Sequence, residues 1–181
     1  LQGEWSWLLG AILFGGVLGP VALMFGLTQT SGSTASLLLN LEAVLTAVLA
    51  WVVFKENADR RVVLGMVAIV AGGIVLSWPS GVTNETSWFG PIAIAAACLC
   101  WAIDNNLTRK VSTSDALFIA SSKGLIAGGI NCALAITLGA TFPNGVTFLS
   151  TMAVGLMGYG FSLVLFVLAL TASNRLNAQM N

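Results

Sequence analysis

Histidine is absent from this sequence, and only 8% of its 181 residues are charged. Without imidazole the chain lacks the commonest general base and metal ligand. Its three cysteines, Cys98, Cys100 and Cys132, all lie in apolar runs and form no C-x-x-C pair. They read as small hydrophobes, not as a redox or metal motif, so no metal and no cofactor is expected. Seven Lys and Arg cancel seven Asp and Glu, which leaves no basic surface for nucleic acid. Nor is there a G-x-x-x-x-G-K-[ST] phosphate loop through which ATP could drive a reaction. Charge is also too scarce to cover a water-soluble globule. With 57% hydrophobic residues and a mean hydropathy of +0.92, the composition is that of an integral membrane protein, with the lipid bilayer as its solvent.

Six apolar runs predict spanning helices: Trp7 to Leu27, Ala35 to Phe54, Val62 to Trp78, Trp88 to Leu107, Ala116 to Ala140 and Val146 to Ala172. The fold class is therefore an all-α, six-span helical bundle. Breakers separate the runs at Ser31-Gly32-Ser33, Asn57 to Asp59, Pro79-Ser80-Gly81, Ser112 to Ser114 and Pro143-Asn144-Gly145. Pro91 suits a first helical turn, and Pro20, in mid-run, predicts a kink. Basic residues follow every second span: Lys55, Arg60 and Arg61, then Arg109 and Lys110, then Arg175. By the positive-inside rule the first, third and fifth spans run outward, and the second, fourth and sixth run inward. Trp78 and Trp88 flank the outer loop as interface aromatics, and Asn84-Glu85-Thr86 within it matches a glycosylation sequon by three residues only. Small residues at Gly15 and Gly19, Gly72-Gly73, Gly124 and Gly128, and Gly155, Gly158 and Gly160 predict close helix packing.

The second run, SLLLNLEAVLTAVLAWVVFKE from Ser36 to Glu56, carries Asn40 and Glu42 inside its apolar length. A carboxylate in the hydrocarbon layer costs on the order of 2.5 to 3.5 kcal/mol on insertion scales, and residues that costly usually face a pathway or a partner. Read from the start of its run, Glu42 lies about 9 Å deep from the outer side, where it could carry a coupling proton or neutralise a cationic substrate. Asp104 and Lys123 read as an inner-half ion pair with Asn105 and Asn106 nearby, because unpaired charges there would be costly. Asn131, Tyr159, Gln29 and Ser162 are further polar side chains placed to line a cavity. The pathway set is thus Glu42, Asn40, Asp104, Asn105, Lys123, Asn131 and Tyr159, with no catalytic and no metal-binding residue.

Sliding the chain by 141 residues aligns GPVALMFGLTQTSGSTASLLLN, from Gly19, with GFSLVLFVLALTASNRLNAQMN, from Gly160. Gly19, Phe25, Leu27, Thr30 and Asn40 match Gly160, Phe166, Leu168, Thr171 and Asn181. The offset carries the first span onto the sixth, an odd number of helices later, so the repeats would be inverted.

Residues Ala35 to Trp78, ASLLLNLEAVLTAVLAWVVFKENADRRVVLGMVAIVAGGIVLSW, resemble the second half of a repeat in the EamA-type transporters of the drug/metabolite transporter superfamily. The points of likeness are a Leu-Glu-x-Val core, the loop residue Glu56, and Gly65 and Gly72 in the next helix. Ala43 stands where the family has proline. Trp101 to Asn131, WAIDNNLTRKVSTSDALFIASSKGLIAGGIN, resembles the opening of a second repeat. The resemblance implies ten helices in two inverted five-helix repeats. Residues 1–78 would then be the last three helices of the first repeat and 79–87 an external linker. Residues 88–181 would be the first three helices of the second repeat and the start of the next. It further implies a carrier of small amino-acid-like or amphiphilic metabolites, working by alternating access in a multi-pass bacterial cytoplasmic membrane.

Against that likeness the chain reads as a piece lacking about two helices at each end, since Leu1 is not Met and TASNRLNAQMN turns polar. Leu1 to Trp7 lacks the basic flank of a signal peptide. Two alternatives stand beside the carrier. A membrane-embedded enzyme acting on lipid would need clustered acid, base or nucleophile groups at one depth, and the carboxylates here are scattered. A truncated product without function is the other.

Overall fold

In a bilayer core every backbone polar group must be bonded within the protein, so apolar runs of this length close their hydrogen bonds as helices. The computed structural model of the chain describes residues 4–55, 57, 59–76, 88–111 and 115–180, and among these there is helix and no strand. In chain order they form α1 Trp5–Ala11, the π-helical segment π1 Ile12–Leu18, α2 Gly19–Leu27, α3 Gly32–Leu39, α4 Leu41–Val52 and α5 Arg60–Leu76. There follow α6 Phe89–Val111, α7 Ala116–Thr137, α8 Gly145–Val154, the π-helical segment π2 Gly155–Gly160, and α9 Phe161–Met180. Among the described residues, five helical stretches have the length and apolarity to cross a membrane: Trp5–Leu27, Gly32–Val52, Phe89–Val111, Ala116–Thr137 and Gly145–Ser173. The sixth expected span corresponds to α5, described over 17 residues. Trp78, Glu56, the Pro79-Ser80-Gly81 loop, the 79–87 linker with its sequon, and Ser112 to Ser114 lie outside the described residues. The chain is an all-α, multi-pass integral membrane protein.

The helix ends follow local chemistry. Ser31 Oγ accepts the Thr34 N–H at 3.2 Å, and Asn144 Oδ1 accepts the Thr147 N–H at 2.9 Å. Asp115 Oδ1 takes two donors, the N–H groups of Leu117 at 2.8 Å and Phe118 at 3.0 Å. Each satisfies first-turn donors that the helix cannot. At the far end of α7, Gly139 adopts φ +75°. Its N–H bonds Ile136 O, and the Ala140 N–H bonds Ala135 O. This Schellman closure needs a left-handed residue, which glycine adopts without strain.

Three details differ from the sequence expectations. The last helix runs on to Met180 instead of stopping near Ala172, because Asn, Arg and Gln weaken a helix without breaking it. Pro20 does not interrupt the first span. The disturbance is taken up by π1, immediately before Gly19-Pro20. The second span is interrupted at Asn40 although no proline is present. There the Asn40 Nδ2 donates to the carbonyls of Ser36 at 3.3 Å and Leu37 at 3.2 Å, competing with the helical ladder.

The chain divides into two compact units, Leu1–Gly16 with Leu107–Asn181, and Val17–Asn106. This division follows packing, not the order of repeats. In the first unit Leu8, Ile12, Val111, Ala116, Ile119, Ala127 and Val167 form the core, with Leu163 against it. Trp5 meets Phe118 edge-on at 6.1 Å, and a Cβ at Gly16 would collide with the Ala127 Cβ. Both sequences rise together, so the first and fifth spans lie parallel, as the loop charges require. In the second unit Ala35, Ile94 and Cys98 form the core with Leu23, Leu38, Leu39, Leu41 and Leu45 around them. A Cβ at Gly26 would stand 2.6 Å from Ile94 Cγ1, and one at Gly90 would collide with Thr30 Oγ1. The glycines at the close approaches are therefore Gly10, Gly16, Gly26 and Gly90. Gly124 and Gly128 face open space among the described residues, because rotation about the helix axis, not spacing, decides which face meets a neighbour.

Candidate substrate and ion pathway

The second unit gathers its polar side chains along one line between the second and fourth spans. Cys98 Sγ donates to Leu38 O at 3.5 Å. Two turns further along α6, Asn105 Nδ2 donates to Glu42 Oε1 at 3.0 Å and to Thr46 Oγ1 at 3.3 Å. Asn106 Nδ2 then holds Thr46 O at 3.1 Å and Ala102 O at 2.8 Å. From Leu38 to Thr46 and from Cys98 to Asn106 the two helices keep step, so they run parallel. Both were expected to run inward.

Each amide has a defined task. Both N–H bonds of Asn105 are used, one on the carboxylate and one on the hydroxyl, which fixes the side chain and turns its Oδ1 away from them. Asn106, 4% exposed, spends its donors on backbone carbonyls and so clamps α4 to α6. The Glu42 carboxylate is half-buried and keeps Oε2 outside the hydrogen bond to Asn105. A carboxylate and a hydroxyl, both facing the same amide N–H group, thus share one small volume as oxygen acceptors suited to a proton, a monovalent cation or a protonated amine.

Glu42 is deeper than its run alone suggested. The helix begins at Gly32, which makes Glu42 the eleventh of the 21 residues of Gly32–Val52. It therefore lies mid-span, level with Asn105. Of the residues expected beside Asp104 and Lys123, Asn105 bonds Glu42 and Thr46 and Asn106 bonds the Thr46 carbonyl. Asp104 is buried at 7% exposure in the second unit. In the first unit Lys123 is buried at 2% exposure, and its Nζ donates to the buried Thr108 Oγ1 at 2.9 Å. Asn131 Nδ2 donates to Gly16 O at 2.7 Å. Tyr159 lies in π2 with 48% of its surface exposed, and Asn40 is exposed at the α3–α4 joint.

Thr46 and Thr108 were not singled out from sequence. A signal was present: each threonine follows a membrane carboxylate, Glu42 or Asp104, by four residues, one helical turn, on the same helix face.

Polar side chains bonded to one another between parallel apolar helices belong to a class of multi-pass membrane proteins whose spans are joined by interhelical hydrogen bonds. Within that class the chain is similar to the EamA-like transporter family, whose model matches residues 1–78. An uncharacterised transporter of Methanothermobacter thermautotrophicus is 26% identical over 174 residues, 93% of this chain and 51% of its own length. The uncharacterised transporter YyaM of Bacillus subtilis is 27% identical over 147 residues, 79% of this chain and 47% of its own length. The chain thus spans about half the length of the curated relatives it matches. No solved structure matches it.

Proposed function

We propose that this chain belongs to a secondary carrier that moves small amino-acid-like or amphiphilic metabolites across a bacterial cytoplasmic membrane by alternating access of two inverted repeats. The observation that carries this reading is the Glu42–Asn105–Thr46 cluster. A half-buried carboxylate held by one amide at mid-span, with acceptor oxygens left over, can take and release a proton or an ammonium group. Asp104 is proposed to line this pathway, Lys123, Asn131 and Tyr159 to be polar pathway residues within the first unit, and Asn40 to mark the joint where the second span can bend.

The repeat gains support from the backbone. Moved by the 141-residue offset, π1 falls on 153–159, and π2 occupies Gly155–Gly160. Two π-helical segments, uncommon in themselves, stand at corresponding places of the aligned sequences.

The test is uptake into proteoliposomes made with the chain, using radiolabelled amino acids and a fluorescent amphiphilic amine as probes, under an imposed proton gradient. Gradient-driven uptake that Glu42→Gln abolishes supports the proposal. Uptake equal in both proteins assigns Glu42 a packing role, and an absence of uptake for every probe removes the carrier reading of this chain.

A further inference from the structure

The first span contains a proline whose consequence is met from outside the helix. In an α-helix the carbonyl of Gly16 would receive the N–H of residue 20, and Pro20 has none. Asn131 of α7 donates its Nδ2 to that carbonyl at 2.7 Å. The approach is possible because residue 16 lacks a side chain, so that Ala127, one turn before Asn131, sits directly against it. Gly16 itself lies within the π-helical stretch Ile12–Leu18, just ahead of Pro20, a geometry frequent at functional sites in helices.

The second π segment provides an internal control. The offset that superimposes the repeats places Phe161 on Pro20. Phe161 has an N–H, and it bonds Leu156 O, five residues back. That segment is closed by its own backbone and needs no outside donor. In the first, the Gly16 carbonyl takes in addition a side chain from outside the helix, which can let go without breaking either helix.

We infer that π1 is a flexing point of the first span and that Asn131 is its latch, a positioning residue acting through the Gly16 carbonyl. Movement of α7 along the first span would release the carbonyl and free the π1 turn, whereas π2 would stay closed. The purpose of such movement rests on the carrier reading, but the latch does not.

Hydrogen–deuterium exchange of the full chain in lipid nanodiscs tests the latch without any substrate. Asn131→Ala is expected to speed exchange of amides 12–19 by roughly fivefold, the worth of one hydrogen bond, leaving 155–161 unchanged. Adding Pro20→Ala restores an N–H opposite Gly16, so the double variant is expected to return to within about twofold of the parent. An increase that Pro20→Ala fails to reverse, or no increase at all, overturns the inference. Should Asn131→Ala loosen the whole protein, Pro20→Ala alone decides. It supplies a second donor and is expected to slow exchange at 12–19 severalfold, and unchanged exchange there overturns the latch. Transport without the latch effect, or the reverse, separates this inference from the carrier proposal.

Discussion

Asn105 donates to the Glu42 carboxylate at 3.0 Å across two helices that run in the same direction through the membrane. Parallel neighbours need an odd number of crossings between them, and the chain between Val52 and Phe89 includes α5, described from Arg60 to Leu76. The contact therefore follows from the alternation of basic and uncharged loops, and it gives the carboxylate its one identified side-chain donor. Replacing Asn105 by Leu leaves Glu42 Oε1 and Thr46 Oγ1 without that amide and is expected to lower stability by about 1.5–3 kcal/mol, the range for a bond to a charged group. Thermal unfolding in detergent measures it. Glu42→Gln keeps the shape and an acceptor for Asn105, so its unfolding midpoint should stay near the parent's.

Lys123 is enclosed beside Thr108, and its ammonium donates to the threonine hydroxyl at 2.9 Å. Thr108→Val is close in shape but removes the acceptor, with an expected loss of about 1.5–3 kcal/mol. Thr108→Ser returns the hydroxyl and should recover most of it. Equal unfolding midpoints for the Val and Ser variants would show that the contact contributes nothing.

Gly90 lies where α6 begins against the end of the first span. A methyl group there would strike Thr30 Oγ1 and stand 2.9 Å from Gln29 O. The hydroxyl has no hydrogen-bond partner among the described residues and could turn aside, but the Gln29 backbone could not. Gly90→Ala is expected to destabilise by about 1–3 kcal/mol, as overpacking does. The double variant Gly90→Ala with Thr30→Ala makes room and should recover part of that loss in the same unfolding assay.

Asp115 caps α7 with two hydrogen bonds from one carboxylate oxygen. Asp115→Ala is expected to cost about 1 kcal/mol, and Asp115→Asn only a few tenths, because Asn caps nearly as well. Amide exchange at Leu117 and Phe118 should rise in the Ala variant first. No change there would mean that the cap is dispensable.

How much of this was legible beforehand varies from residue to residue. Ser31 and Asn144 stand at the helix starts that their breaker clusters predicted, and the first and fifth spans, like the second and fourth, pack in the directions that Lys55, Arg60, Arg61, Arg109 and Lys110 required. Pro20 was legible as a disturbance, but its form was not. Whether a proline kinks a helix, or is absorbed in a π turn with an outside donor, depends on what reaches the freed carbonyl, and Asn131 lies 115 residues away.

The sequence by itself determined that the chain is helical and lies in lipid, and it determined the order of its spans, the shared direction of those that pack side by side, and some of their caps. Those features follow from hydropathy, loop charge and breaker residues, all local. Which way each helix turns about its own axis was decided only by the tertiary structure. In a soluble helix the apolar stripe fixes that rotation, but in lipid the outer face is as apolar as the inner. Successive residues of a helix point about 100° apart, so a turn of one position exchanges Asp104 for Asn105 as the partner of Glu42. Packing at Cys98 and at the Asn106 clamp settles that choice.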